Sequence, residues 1–224
     1  MSRRNRWTLK IPNPILEYIE RIASGVADTF DEHASTKERE RVAIHEAGHV
    51  IVAWHCTAVS SVNHIICMAS GDGRTYFSVS GMGVSQRHWC QTVIALSGCA
   101  AEKQLLGSAR SVSSSSDLSN ALRSVREMTE KTSNDPPWRI SSGSTQNFSF
   151  LFREPLAKWE ERALREGYRK ARQLIAVHEH KIRALANTLI MKRRLSSAQI
   201  SEVLGNRTFV SIFALSHPYG FYPG

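Results

Sequence analysis

The chain has 224 residues, 42% of them hydrophobic and 22% charged, with a formal net charge of +9 and four cysteines. That length buries a sizeable core and fits one domain with flanking extensions. No run approaches the roughly 18 consecutive apolar residues of a spanning helix, so no transmembrane helix is expected.

In chain order, residues 1–34 read as a basic, helical extension. Met1–Lys10 is basic but lacks an apolar core or cleavage site for a secretory signal, and Pro14, Ile15, Tyr18, Ile19, Ile22, Val26 and Phe30 have helical spacing behind Asn13. Ser35 followed by Glu38 has capping-box spacing and predicts a helix over 36–56, with Val42, Ala43, Val50, Ala53 and Trp54 as its apolar residues. Next, Val62, His64, Ile66 and Met68 alternate with Asn63, Ile65 and Cys67. Gly71-Asp72-Gly73 then turns the chain into the β-prone Thr75–Val79, a hairpin pattern in which His64 is a strand residue rather than a ligand. Arg87–Leu106 predicts a second core helix, with Ser85 as cap and Gly107 as stop, and Leu118–Lys131 a third. Residues 134–152, with Pro136-Pro137 and a Ser/Gly-rich run, read as an exposed loop. Pro155–Met191 predicts long helical segments, with His178 and His180 on the surface. Ser196 with Gln199 repeats the capping-box spacing before a short helix stopped by Gly205, and residues 206–224 form an aromatic tail.

Cys56, Cys67, Cys90 and Cys99 show no C-x-x-C spacing and lie in or beside apolar segments. They read as thiols in a reducing compartment, so the expected location is cytoplasmic. Residues 151–194 hold twelve Lys/Arg against five Asp/Glu. A basic helical face is ordinarily solvated, and no nucleic-acid motif accompanies this one.

The chemistry concentrates in His45-Glu46-Ala47-Gly48-His49. Positions i and i+4 share a helix face, so both imidazoles can address one ion. Glu46 is too close in sequence to be a third ligand but is placed to reach a metal-bound water. The plain alternative is two exposed histidines beside a solvated Glu. Ala47 and Gly48 leave room for a second helix to approach. A catalytic zinc takes three protein ligands and keeps a fourth position for water. No third His follows at H-x-x-H-x-x-G-x-x-H spacing, and Glu102 is a nominal thermolysin-like candidate, so the residues leave the third ligand open.

Three segments in order, Val42 to Val50 around the motif, Gly98-Cys99-Ala100-Ala101-Glu102, and Ser115-Ser116-Asp117-Leu118, resemble the peptidase module of the FtsH family of membrane-anchored, ATP-dependent zinc proteases. The resemblance spans residues 37–205, weakly at its C-terminal end, and implies a mainly α, helical zinc-metallopeptidase domain over 35–205 with a small β-hairpin or sheet near the metal. It implies Zn²⁺ held by His45, His49 and Asp117, with Glu46 as general base. Glu102 would accept the other ring N–H of a ligand His; a solvated Glu paired with Lys103 or Arg110 is the alternative. Asp117 follows four serines and opens the amphipathic run Leu118, Ala121, Leu122, Val125 and Met128, so it is expected at a helix N-terminus, where an ordinary N-cap is the alternative. The sequence departs from the family in having no G-x-x-x-x-G-K-[ST] loop, no membrane segment, and Cys99 in place of an Arg.

The expected function is a zinc-dependent endopeptidase acting on unfolded or flexible proteins, independently of ATP. Strand residues Gly73, Arg74, Thr75, Tyr76 and Phe77 are expected to pair with the substrate backbone. A separate ATPase partner and a homo-oligomer are the further partners implied. Two rivals stand beside it: a silent or regulatory interaction protein retaining the fold, against which the intact Glu46 argues, and a structural zinc protein, for which no fourth ligand is apparent.

Overall fold

The computed structural model describes residues 35–68, 72–80, 83–109, 113–130 and 158–209. The expected helix at 13–30, the loop at 134–152 and the tail beyond residue 209 lie outside the described residues.

Helix α1 (Thr36–His55) is the axis of the fold. The Ser35 hydroxyl accepts the Glu38 N–H at 3.2 Å and starts it where the sequence predicts. From Val42 to His55 every residue is buried, because α1 is covered by helices and sheet together. A helix apolar nearly all round needs such a setting, and the motif's polar side chains enter the core with it.

Helix α2 (Val84–Leu106) packs along α1. Their approach is set by Gly48: a Cβ there would lie 2.7 Å from the Ala101 Cβ and 2.8 Å from the Ser97 carbonyl oxygen. This is the packing reason expected for a small residue inside the motif. The α2 start differs from the prediction. Its N-cap is Gly83, whose carbonyl accepts the Arg87 N–H at 3.0 Å, so Ser85 already lies inside the first turn. Gly107 ends it in the left-handed region at φ 76°, a conformation glycine adopts without Cβ strain.

Strands β1 (Val59–Cys67) and β2 (Gly73–Val79) form the expected antiparallel hairpin. Beyond them come α3 (Ser113–Glu130), α4 (Lys158–Val177), α5 (Glu179–Lys192), β3 (Arg194–Ser196) and α6 (Ser197–Leu204). The three-residue β3 pairs with β1 through Leu195 opposite Ile65, giving the strand order β2-β1-β3. No sequence pattern marked it. Ser196 and Gln199 complete a full capping box into α6, and Gly205 closes that helix.

The third helix starts earlier than expected: α3 begins at Ser113, so the serine run is helical and Asp117 sits a turn inside the helix rather than opening it. Serine is neutral enough to join a helix or cap it, and packing against α2 decides. From Lys158 to Lys192 the chain is two helices broken at His178, whose ring stacks on buried His55 at 4.2 Å while His180 is exposed. Arg207 folds back onto the end of α1, donating to the carbonyls of Ala53, Trp54, Cys56 and Val59. It satisfies acceptors that a helix C-terminus leaves open. No helix among the described residues is long and apolar enough to cross a membrane.

Candidate metal centre

Helical spacing puts His45 and His49 on one face of α1, and packing brings Asp117 of α3 to meet them. His45 Nε2 lies 2.8 Å from Asp117 Oδ2, His49 Nε2 lies 3.1 Å from the same oxygen, and the two Nε2 atoms are 3.1 Å apart. Three lone-pair atoms therefore converge on one point. Bonds of about 2.0–2.1 Å in a tetrahedral zinc site separate ligand atoms by about 3.3 Å, within about 0.5 Å of this spacing.

Each imidazole is anchored from behind. His45 Nδ1 is 2.7 Å from Glu102 Oε1, and His49 Nδ1 donates to the Ile94 carbonyl at 2.8 Å, with the Ser97 hydroxyl at 3.3 Å. Donation at Nδ1 fixes the tautomer in which Nε2 carries a lone pair. Glu102 is fully buried, and its second oxygen takes an ion pair from Arg41 at 3.0 Å. Arg41 also donates to the Ser108 carbonyl at 2.6 Å. The solvated alternative for Glu102 is thereby overturned, and Lys103 instead reaches the Gly107 carbonyl. Arg41 was missed from sequence, although it stands one helical turn before His45 and shares its face.

The electrostatics call for a cation. Burial opposes charge on His45, yet hydrogen bonds to Asp117 and Glu102 outweigh it and push its pKa up to about 10. His49 is likewise raised against its burial, chiefly by Asp117. Burial also opposes the charge on Asp117, but the two histidines hold its carboxyl well below the usual range. With Glu46, Glu102 and Asp117 gathered round two imidazoles, the donor set takes up protons or a divalent ion in their place. The residues fit zinc by ligand type, count and separation.

Glu46 is hydrogen-bonded to strand β2 rather than to these three atoms. Its Oε2 accepts the Thr75 hydroxyl at 2.8 Å, and burial raises its pKa above the ordinary glutamate value, opposed by His49 and His45. Glycines line the approach. A Cβ on Gly98 would lie 2.5 Å from His45 Nε2, and one on Gly73 would lie 2.5 Å from Glu46 Oε1.

An open cleft of about 960 Å³ leads to this cluster, lined by Glu46, His49 and Asp117, by strand residues Gly73–Phe77, and by Ile94 and Asn120. The cleft thus brings together Glu46, His49, Asp117 and the expected strand, with His45 meeting His49 and Asp117 and buried Glu102 behind His45. Phe77 also packs on the hydrophobic core, and Tyr76 stacks on His64 at 4.3 Å. His64 lies outside the metal cluster, as expected of a strand residue. Cys99 is half-buried, and burial followed by the nearby Glu102 and Asp117 pushes its thiol up.

The model of peptidase family M41 matches residues 32–203 of the chain. Among similar proteins, the ATP-dependent zinc metalloprotease FtsH 1 of Rhodopirellula baltica is 26% identical over 186 residues, covering 75% of this chain and 28% of that protein. FtsH of Mycoplasma pneumoniae is 26% identical over 216 residues, covering 90% and 30%. FtsH of Rickettsia conorii is 28% identical over 195 residues, covering 79% and 30%. The matched region therefore amounts to under a third of each of these relatives.

Proposed function

The chain belongs to peptidase family M41, and on that premise we propose that it is a zinc-dependent endopeptidase cleaving unfolded or flexible protein chains. The observation that carries this is the convergence of His45 Nε2, His49 Nε2 and Asp117 Oδ2 at the floor of an open cleft, with the Glu46 carboxylate beside them. Zinc at those three atoms would supply Lewis acidity, polarising a carbonyl and acidifying a water at neutral pH.

The chain's own groups do the rest. Glu46 accepts a proton from the attacking water at a carboxylate oxygen and passes it to the amide nitrogen as the C–N bond breaks. The products are a free amine and a carboxylate, and Glu46 returns to its starting state. Burial, which raises the Glu46 pKa, suits a group that must both take and release that proton. Glu102 and the Ile94 carbonyl hold the two rings so that no reorientation accompanies the reaction.

Strand β2 is an edge strand of the sheet and borders the cleft. An extended substrate pairing with Gly73–Phe77 would carry its scissile carbonyl toward the metal ligands, an arrangement that would favour unfolded chains. Cleavage of an already unfolded chain needs no nucleotide at this site. Folded substrates would need an ATPase to unravel them, in a partner or another part of an assembly, and self-association would serve that arrangement. Glu46→Gln tests the reading. The variant is expected to retain about one zinc per chain and to lose hydrolysis of an unfolded protein. Undiminished turnover in the zinc-loaded variant overturns the assignment.

A further inference from the structure

We propose that Thr75 is a positioning residue for Glu46: strand β2 holds the carboxylate by one oxygen and leaves the other for the proton. The inference rests on the peptidase reading but draws on a different part of the geometry. Glu46 is buried, 2% exposed, on the helix that also carries His45 and His49. The Thr75 hydroxyl donates to Glu46 Oε2 at 2.8 Å, with the Glu46 backbone carbonyl at 3.3 Å as a weaker second acceptor. Thr75 thus ties both the tip and the root of the same residue to the strand.

The other oxygen is placed by shape. Oε1 packs over Gly73, two residues along β2 on the same face, where any Cβ would collide with the Glu46 side chain. Among the described residues Oε1 has no hydrogen-bond partner. One oxygen is therefore committed to the protein and one is available at the cleft. A glutamate has three rotatable side-chain torsions, and a general base must lie within hydrogen-bond reach of its proton. Without the Thr75 hydroxyl the carboxylate can turn about its last torsion, whose barrier is low.

The same strand is the one on which an extended substrate would pair. The bond from Thr75 makes the position of the base depend on the position of the substrate-pairing strand. Valine at 75 matches threonine in shape and lacks only the hydroxyl; serine keeps the hydroxyl and lacks the methyl.

The test compares native chain, Thr75→Val, Thr75→Ser, Glu46→Gln and the Thr75→Val/Glu46→Gln double variant, each with its zinc content measured and an unfolded protein as substrate. Thr75→Val is expected to lower kcat about 10–100-fold, part of the 10²–10⁴ a general base contributes, with KM within about two-fold and zinc retained. Thr75→Ser should return kcat to within about three-fold of native. A readout independent of turnover is the thermal midpoint of the metal-free proteins. The double variant should lose less than the sum of the two single losses, because each change weakens the same contact: valine lacks the donating hydroxyl, and a neutral amide oxygen accepts less strongly than the carboxylate it replaces. Native kcat in Thr75→Val, equal loss in the serine and valine variants, or additive thermal losses overturns the positioning role. If Glu46→Gln retains full activity while the thermal losses remain non-additive, the base assignment fails and the Thr75–Glu46 contact stands.

Discussion

Gly98→Ala adds one methyl group at the crossing of α1 and α2, and the structure sets its consequence. The new Cβ would sit 2.5 Å from His45 Nε2, 2.6 Å from Cε1 and 2.7 Å from Cδ2. Ordinary contact needs about 3.5 Å, so ring or helix must yield by about 1 Å. The ring has little room to retreat. Its far nitrogen is held at 2.7 Å by buried Glu102, itself clamped by Arg41, and its edge meets the His49 ring with centroids 4.7 Å apart. A shift of that size removes His45 from a site that tolerates about 0.5 Å. Zinc affinity is expected to fall by at least about 100-fold, beyond what loss of a supporting hydrogen bond costs. Overpacking the helix crossing should also cost about 1–3 kcal/mol of stability. Competition against a chelator of known affinity measures the first quantity, and denaturant unfolding of the metal-free protein the second. A variant binding zinc within about three-fold of native would show that His45 is not fixed where the structure puts it.

Glu102→Gln should weaken zinc binding about 10–100-fold while leaving one site per chain, and Arg41→Ala should move affinity in the same direction through Glu102; chelator competition reads both, and unchanged affinity in both refutes the buried chain Arg41–Glu102–His45. The stacked pair His55–His178 predicts a pH dependence. Burial, then the charge of His55, lowers the His178 pKa from 6.5 to about 4, so the unfolded chain binds the proton more tightly than the folded one. Stability should therefore be lost as pH falls from about 6.5 toward about 4, and the fall should be shallower in His178→Gln. Equal slopes in thermal melts of the two proteins across that window would refute the assignment.

What the sequence determined by itself was local. The i, i+4 spacing placed two imidazoles on one helix face whatever the rest of the chain does, and Ser35, Gly107, Ser196 with Gln199, and Gly205 marked helix ends because capping involves only nearby residues. Alternation along Val62–Met68, the Gly71-Asp72-Gly73 turn signal and the β-prone Thr75–Val79 declared the hairpin for the same reason. The start of α2 and the serine run of α3 were misplaced because glycine and serine suit both cap and helix, and only packing chooses between them. The third metal-facing atom comes from Asp117, 72 residues beyond His45, and no periodicity spans that distance; family resemblance named it, and the α2–α3 packing brings it into place. Arg41 behind Glu102, Thr75 against Glu46, and the three-residue β3 were likewise decided by tertiary structure. Each depends on which surfaces meet once the apolar faces of α1 and α2 are buried, a property of the assembled core rather than of any segment within it.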